Sequence, residues 1–378
     1  MNQRIAITGI GAVGPLGHDL PTIAANLGRS PSETGHGTSQ KLGEQAELWM
    51  LRGLDATRTL SGRLQRKLDP FSVHGMVAAG QALAASGLAS AGLDPQQVGI
   101  YVGNCLGGWG YTQPELEALH TRGVTGMGPY VATAWFPAAL QGQLSLAHGY
   151  KGHSKTFSAR DVAGLQAIGH AVDAIRHERA QVVLCGASED LSSPYMQAVL
   201  QRYARANGSG ASPFGAHAAS SFSDGAAFLV LEELEHAQRR GARVLCEVTG
   251  FADRFCSAPE HAVPVLARAL QAAEGRREGE RLLVLDGLLS GEAAITAEAA
   301  RSAGISVAPV DSRSVLGNQF AVSGVTEVVL AAQALSEGRL RPEQLGQRRG
   351  GTGGQFLGAL IQRLSPQGNV TTLGLAAA

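Results

Sequence analysis

Two twenty-residue stretches, DVAGLQAIGHAVDAIRHERA from Asp161 and AVSGVTEVVLAAQALSEGRL from Ala321, superimpose without a gap. The superposition pairs Val162 with Val322, Gly164 with Gly324, Ala171 with Ala331, Ala174 with Ala334 and Arg179 with Arg339. Self-similarity of this kind constrains a fold more than any single motif, because a repeated unit buries its apolar face against its own copy. Each stretch follows a turn and precedes a short polar linker, and AITGIG near the start matches EVTGFA at 247–252 in type. The chain is therefore expected to form two similar halves, residues 1–240 and 241–378, facing each other across one core as a single compact unit. Buried helices starting at Asp161 and at about Phe320 are expected to meet near the axis that relates the halves.

Between these anchors short apolar runs alternate with amphipathic segments, which predicts an α/β fold with largely buried sheets. The strand candidates are RIAITG, VGIYVG, KTFSA, QVVLC, AAFLVLE, RVLCEVTGF, RLLVLDG and ISVAPV. Asp19 is placed to cap a helix that ends near Gly28, and AEAARSAG stops at its glycine. The polar stretch from Arg29 to Gln45 is expected to be an exposed loop. With 378 residues, 44% of them hydrophobic, the chain has the material for a large core.

Several function classes are disfavoured. Thirty-one basic and thirty-one acidic side chains cancel, without a long block of one sign, so no nucleic-acid partner and no anionic membrane surface is expected. The N-terminus MNQRIAITGIG lacks the design of a signal peptide, and no apolar run is long enough to span a bilayer, so a cytoplasmic location is expected. Gly9, Gly11 and Gly14 have the GxGxxG spacing of a dinucleotide site, but Pro15 and Gly17 interrupt the position of the phosphate-binding helix. They are read as a tight loop after the first strand. Cys246 and Cys256 have no common zinc spacing, Cys185 lies in an apolar strand, and nothing near Cys105 at the end of another would lower its pKa. The eleven histidines are scattered. No metal and no nucleotide cofactor is expected.

The segment KTFSARDVAGLQAIGHAVDAI reads as a strand, a turn at Ala159–Asp161 and a helix with Val162, Leu165, Ile168, Val172 and Ile175 at helical spacing. In α/β enzymes such an elbow presents a nucleophile at a helix start. The residue here is Asp161, expected to act as an N-cap that accepts hydrogen bonds from the first turn, paired with Arg160.

RIAITGIGAVGPLG, AWFPAALQGQLSLAHGYKG, the elbow, SDGAAFLVLEELEHAQRRGAR and GGTGGQFLGALI together resemble a β-ketoacyl synthase over nearly the whole chain. That resemblance implies the thiolase-like fold, five αβαβα layers made of two related halves, and a dimer. CLGGWGYTQPELEALH followed by TAWFPAALQGQLSL looks most like a chain-length factor, the ketosynthase-like partner subunit of type II polyketide systems. By the same resemblance the usual elbow cysteine is replaced by Asp161, and the two histidines of the condensing site correspond to Gly287, within about one residue, and Asn318. The usual lysine appears as Arg313, and a phenylalanine expected between glycines as Thr352. Some chain-length factors carry glutamine at the elbow, so the aspartate departs from that pattern too.

Condensation needs a soft nucleophile to carry an acyl group as a thioester, and a helix start favours the thiolate. A carboxylate there is a poorer nucleophile whose attack would give a mixed anhydride, and Gly287 and Asn318 offer neither an acid nor a base. The resemblance therefore implies a non-catalytic subunit that binds an active ketosynthase as a heterodimer and shapes the pocket where a chain on acyl carrier protein elongates. Trp109, Tyr111 and Leu116, read as a Gly-led loop, are implied to lie beside the channel. Tyr130, Val131, Trp135, Phe136 and Leu140, within 129–143, are implied to lie at the subunit interface, ordinary core being the alternative for each. Two other functions stay open: altered acyl chemistry, malonyl decarboxylation or hydrolysis by Asp161, and a homodimeric scaffold that binds acyl carrier protein.

Overall fold

Strands β1 (Ile5–Val13) and β9 (Cys246–Phe255) pair antiparallel at the centre of a ten-stranded sheet, Ile5 opposite Val248 and Ile7 opposite Cys246. The computed structural model describes residues 3–43, 46–88, 91–205, 212–216, 221–275, 280–285, 287, 289–338, 340–345 and 356–378. Outward from β1 come β8 (Gly225–Glu233), β6 (Val182–Glu189), β4 (Val98–Gly103) and β5 (Lys155–Phe157). Outward from β9 come β13 (Asn369–Ala376), β12 (Gly358–Leu364), β10 (Arg281–Leu285) and β11 (Val307–Asp311). On both sides the successive pairings run antiparallel, antiparallel, parallel, parallel. The two five-strand sets thus share one topology, and β1 and β9, which carry AITGIG and EVTGFA, hold equivalent places in it.

Layers follow from which faces are apolar. Strands β4 and β6 are buried along their whole length, so both of their faces must be covered, which is why they read as unbroken apolar runs. The helix Pro70–Ser86 covers β1, β8 and β6 on one side, with Ala139–His148 beside it. The helices Ala163–Arg176 and Ser323–Ser336 pack on each other and on strands of both sets, forming the central layer. Ala262–Glu274 and Glu292–Ala303 close the other outer face. The result is five αβαβα layers. Among the described residues no helix is long and apolar enough to cross a membrane.

Two expectations need correction. Gly9 and Gly11 lie inside β1, not in a loop, because a Cβ on either would run into the backbone of the helix Pro70–Ser86 at Ala82 and Ala78. They let that helix sit directly on the strand, and only Gly14 to Gly17 forms the tight turn, bonded in both directions at 2.8 and 3.1 Å. The stretch from Arg29 to Gln45 is no simple loop either. It holds a helical turn, Pro31–Thr34, and β2 (Gly37–Leu42), which pairs with β3 (Ala46–Leu51); β3 in turn pairs with β7 (Ser221–Ser223) in a small second sheet. Only Leu42 of β2 is buried, so an edge strand with polar faces left no alternation to read. Asp19 caps its helix as expected, accepting from the Thr22 N–H at 2.8 Å.

Candidate functional site

The chain leaves β5 and turns through Arg160, whose φ of 54° is a left-handed conformation that a bulky residue adopts only when its surroundings enforce it. A 3-10 turn over Arg160–Val162 then leads into Ala163–Arg176. The second copy repeats the device: Phe320 has φ 51°, and the turn Phe320–Val322 leads into Ser323–Ser336. What enforces both turns is the crossing of the two helices. A Cβ on Gly164 would stand 2.6 Å from Val325 Cγ2 and closer still to the Ala321 carbonyl oxygen, and one on Gly324 would stand 2.6 Å from Leu165 Cγ. The glycines that the repeat pairs are therefore the contact points, and they bring the two turns together.

Asp161 sits in the middle of its 3-10 turn with 1% of its surface exposed, and the cap position of the helix falls to Val162. The N-cap role expected for Asp161 is thus corrected: the 3-10 turn moves the helix start past it. Its Oδ1 accepts from Asn318 Nδ2 at 3.4 Å. Arg160 turns away to place its guanidinium over the Tyr203 ring, 5.5 Å from the centroid. Asn318 is fully buried and held by its backbone between two strand residues, donating to Ser221 O at 2.7 Å and accepting from Ser223 N at 2.8 Å. Its side-chain oxygen accepts from Phe320 N at 2.7 Å, which ties it to the second elbow. Gly287 follows β10 with φ 68°, and a Cβ there would lie 2.8 Å from the Asp311 carboxyl, so the position has no room for a side chain in that direction. Arg313 begins a short helix, Arg313–Leu316, its N–H donating to Asp311 Oδ1 at 3.0 Å. Thr352 lies outside the described residues.

Two neighbours were not picked out from sequence. Glu189, fully buried at the end of β6, accepts from Cys105 N at 2.6 Å, Leu106 N at 3.2 Å and Asn104 Nδ2 at 3.0 Å. Burial pushes its carboxyl up to about 8, with Asp161 and Asp190 adding to the rise against the two backbone hydrogen bonds. A sequence signal existed: GASED closes an apolar strand with two adjacent acids, which such a strand buries only for a reason. The second is the aromatic group Phe222, Phe320 and Tyr203, with Phe222 and Phe320 stacked at 5.9 Å. Cys105 comes close to the elbow, but burial, then Glu189, then Asp161 raise its thiol far above the usual range. Burial and neighbouring carboxyls thus disfavour the thiolate that a nucleophile at this position would need.

The family model described as "Beta-ketoacyl synthase, N-terminal domain" matches residues 2–237. The chain belongs to the β-ketoacyl synthase family. Within that family it is 30% identical over 365 residues, 90% of this chain and 85% of the other, to a putative polyketide beta-ketoacyl synthase 2 of Streptomyces coelicolor. It is likewise 30% identical, over 71% of this chain and 68% of the other, to the ketoacyl synthase beta subunit of the tetracenomycin polyketide synthase of Streptomyces glaucescens. Some curated β-ketoacyl synthases are matched over less than two thirds of their length, as at 64% for a second putative polyketide synthase, from Streptomyces cyaneus. Among solved structures, a chain of AntDE:AntF, a type II PKS acyl-carrier protein in complex with its ketosynthase bound to the hexaketide, superimposes over 100% of both chains with a TM-score of 0.86 and 42% identity. The ishigamide ketosynthase/chain length factor shares the fold at a TM-score of 0.83 and 19% identity, over 100% of this chain and 99% of the other. The five layers are thus the thiolase-like fold of ketosynthases.

In this β-ketoacyl synthase family member the expected channel residues stand on a helix, Trp109–Arg122, and not in a loop. The glycines ahead of it, expected to lead a loop, let the helix start approach Trp135, Ala134 and Asp69 closely. Trp109, Tyr111 and Leu116 are half-buried along it, with the Trp109 ring tilted against that of Tyr195, centroids 4.1 Å apart. Of the expected interface residues, Leu140 is fully buried against Gly75 in the chain's own core, a correction that follows from its inward place on the helix Ala139–His148. Val131 and Phe136 are half-buried, whereas Tyr130 and Trp135 are exposed, Trp135 by 55%. Val124 and Leu146 are exposed as well, at 76% and 80%.

Proposed function

We propose that this chain is a non-catalytic, chain-length-factor-like subunit of a type II polyketide synthase. It pairs with an active ketosynthase and shapes the pocket in which a chain on acyl carrier protein elongates. The observation that carries the proposal is the elbow: the buried carboxylate of Asp161 closed by Asn318, with no side chain at Gly287 and no ionised thiol at Cys105. Carbon–carbon bond formation requires an acyl-carrying nucleophile and donors around the developing enolate, and each missing donor costs about a hundredfold to a thousandfold in rate. The polyketide reading draws on the beta-subunit relative and on the ketosynthase and acyl carrier complex. The heterodimer reading draws on the exposed Trp135, Tyr130, Val124 and Leu146. The same proposal includes two similar halves, residues 1–240 and 241–378, in one compact unit.

Co-expression with active type II polyketide ketosynthases, followed by size-exclusion chromatography, tests this. The expected result is a stable one-to-one complex. A homodimer indifferent to any ketosynthase would favour the scaffold function, and turnover of malonyl carrier protein by the chain alone, lost in Asp161→Ala, would favour altered acyl chemistry.

A further inference from the structure

The helix Trp109–Arg122 carries Trp109, Tyr111 and Leu116, the three side chains that the family resemblance implies beside the channel, yet its own sequence does not cap it. Gly108 stands at the cap position without a side chain, and the first turn holds no acidic residue. The opening amides are satisfied from another helix. Asp69 Oδ2 accepts from the Tyr111 N–H at 2.8 Å, and the same carboxyl receives the Gly110 N–H. Asp69 Oδ1 meanwhile accepts from Phe71 N–H at 3.0 Å, capping the helix Pro70–Ser86 that it precedes. One fully buried carboxyl thus caps two helices, its own and one whose Tyr111 lies 42 residues further along.

Two surrounding glycines leave room for this contact. A Cβ on Gly108 would stand 2.9 Å from Asp69 Cβ and Cγ, and a Cβ on Gly110 would stand 2.8 Å from Pro70 Cδ and 3.1 Å from Asp190 Oδ2. The flank of the helix is fixed separately, by Tyr195, whose N–H donates to Gln113 Oε1 at 2.9 Å while its ring packs against Trp109 at a tilt. Without Asp69, the start of the helix keeps its ring contact but loses its anchor.

We propose that Asp69 is a specificity-determining positioning residue: by capping the helix Trp109–Arg122 in trans, it fixes where Trp109, Tyr111 and Leu116 stand and so how long a chain the assembled pair accepts. This rests on the pocket-shaping function above. Asp69 acts through backbone amides and is not itself a catalytic residue.

Two substitutions separate its roles. Asp69→Ser keeps a short oxygen for Phe71 but cannot span to Tyr111, and Asp69→Asn keeps the shape while replacing one carboxyl oxygen by an NH2 that cannot accept from an amide. Hydrogen exchange in the full chain is predicted to speed up by about fivefold to thirtyfold at Gly110 and Tyr111 in Asp69→Ser, with Ala163–Arg176 unchanged. In the complex with the co-purifying ketosynthase, the product-length profile is predicted to shift in both variants while the amount of one-to-one complex is retained. Unchanged exchange at Gly110 and Tyr111 overturns the cap in trans. Faster exchange with an unchanged product profile overturns the specificity role. A wild-type chain that leaves every ketosynthase's product length unaltered sinks the pocket-shaping function and this role with it, and that failure is distinguishable because it is seen without any Asp69 variant.

Discussion

Gly164→Ala is predicted to destabilise the chain by about 2 kcal/mol, although alanine is the better helix former by about 1 kcal/mol. The reason is the crossing of the two elbow helices. The added methyl would lie 2.6 Å from Val325 Cγ2 and nearer still to the Ala321 carbonyl oxygen, against an ordinary carbon contact of about 3.5–4.0 Å. A side-chain methyl can rotate away, but a backbone carbonyl at the start of the partner helix cannot. The helices must part by about an ångström, and a gap of that size forfeits about a quarter to a half of each dispersion contact along the seam. The cost therefore sits at or above the top of the usual overpacking range of about 1–3 kcal/mol, which leaves the net loss once propensity is credited. Gly142→Ala is the control: it also lies in a helix, a Cβ there would meet nothing within 4 Å, and it is predicted to stabilise by about 0.5–1 kcal/mol. Urea unfolding of the three proteins side by side measures both. A Gly164→Ala chain as stable as wild type would refute the seam as the element that sets the elbows.

Asp161→Cys is predicted to accept an acyl label detectable by mass while condensing at least about ten-thousandfold more slowly than an active ketosynthase, since two donors remain missing; condensation within about tenfold of one would contradict this. Trp135→Glu is predicted to weaken pairing with the ketosynthase by about thirtyfold or more, read by titration, because a large exposed aromatic ring is a typical binding anchor; unchanged affinity would remove Trp135 from the interface. Stability is predicted to fall as pH rises from about 6.5 to 8. Burial first, then Asp190, pushes Asp69 up to about 8, and burial does the same to Glu189, so both stay protonated when folded and ionise when unfolded. Their contribution is complete below the ordinary carboxyl pKa and is lost as pH climbs through about 8, at up to about 1.4 kcal/mol per unit and group. His74, held down to about 4 by burial, works in the opposite sense but only below about 6.5. Asp69→Asn should therefore flatten the slope between pH 6.5 and 8, and an unaltered slope would show that Asp69 does not titrate there.

The layered architecture could be read from sequence because its central strands are buried on both faces and its two central helices repeat. β4 coincides with VGIYVG, and Gly164 and Gly324, paired by the repeat, proved to be the points where the helices touch. Elements held together by distant partners could not be read this way. β2 is polar on both faces and exists because β3 lies beside it. The helix Trp109–Arg122 opens with glycines and is capped by Asp69, a residue that no local pattern connects to it. The elbow aspartate was visible, but its place inside a 3-10 turn depends on the meeting of the two helices. Its partner Asn318 was found only through family resemblance, and Glu189 was missed although two acids at the end of a buried strand already announced it.

Intact-mass spectrometry of both subunits after incubation with acyl- and malonyl-carrier protein tests the emptied elbow most directly. The prediction is an acyl adduct on the ketosynthase chain alone, with this chain unmodified both in the complex and by itself. An acyl adduct on this polypeptide, followed by a condensed product in the absence of the ketosynthase, would contradict it.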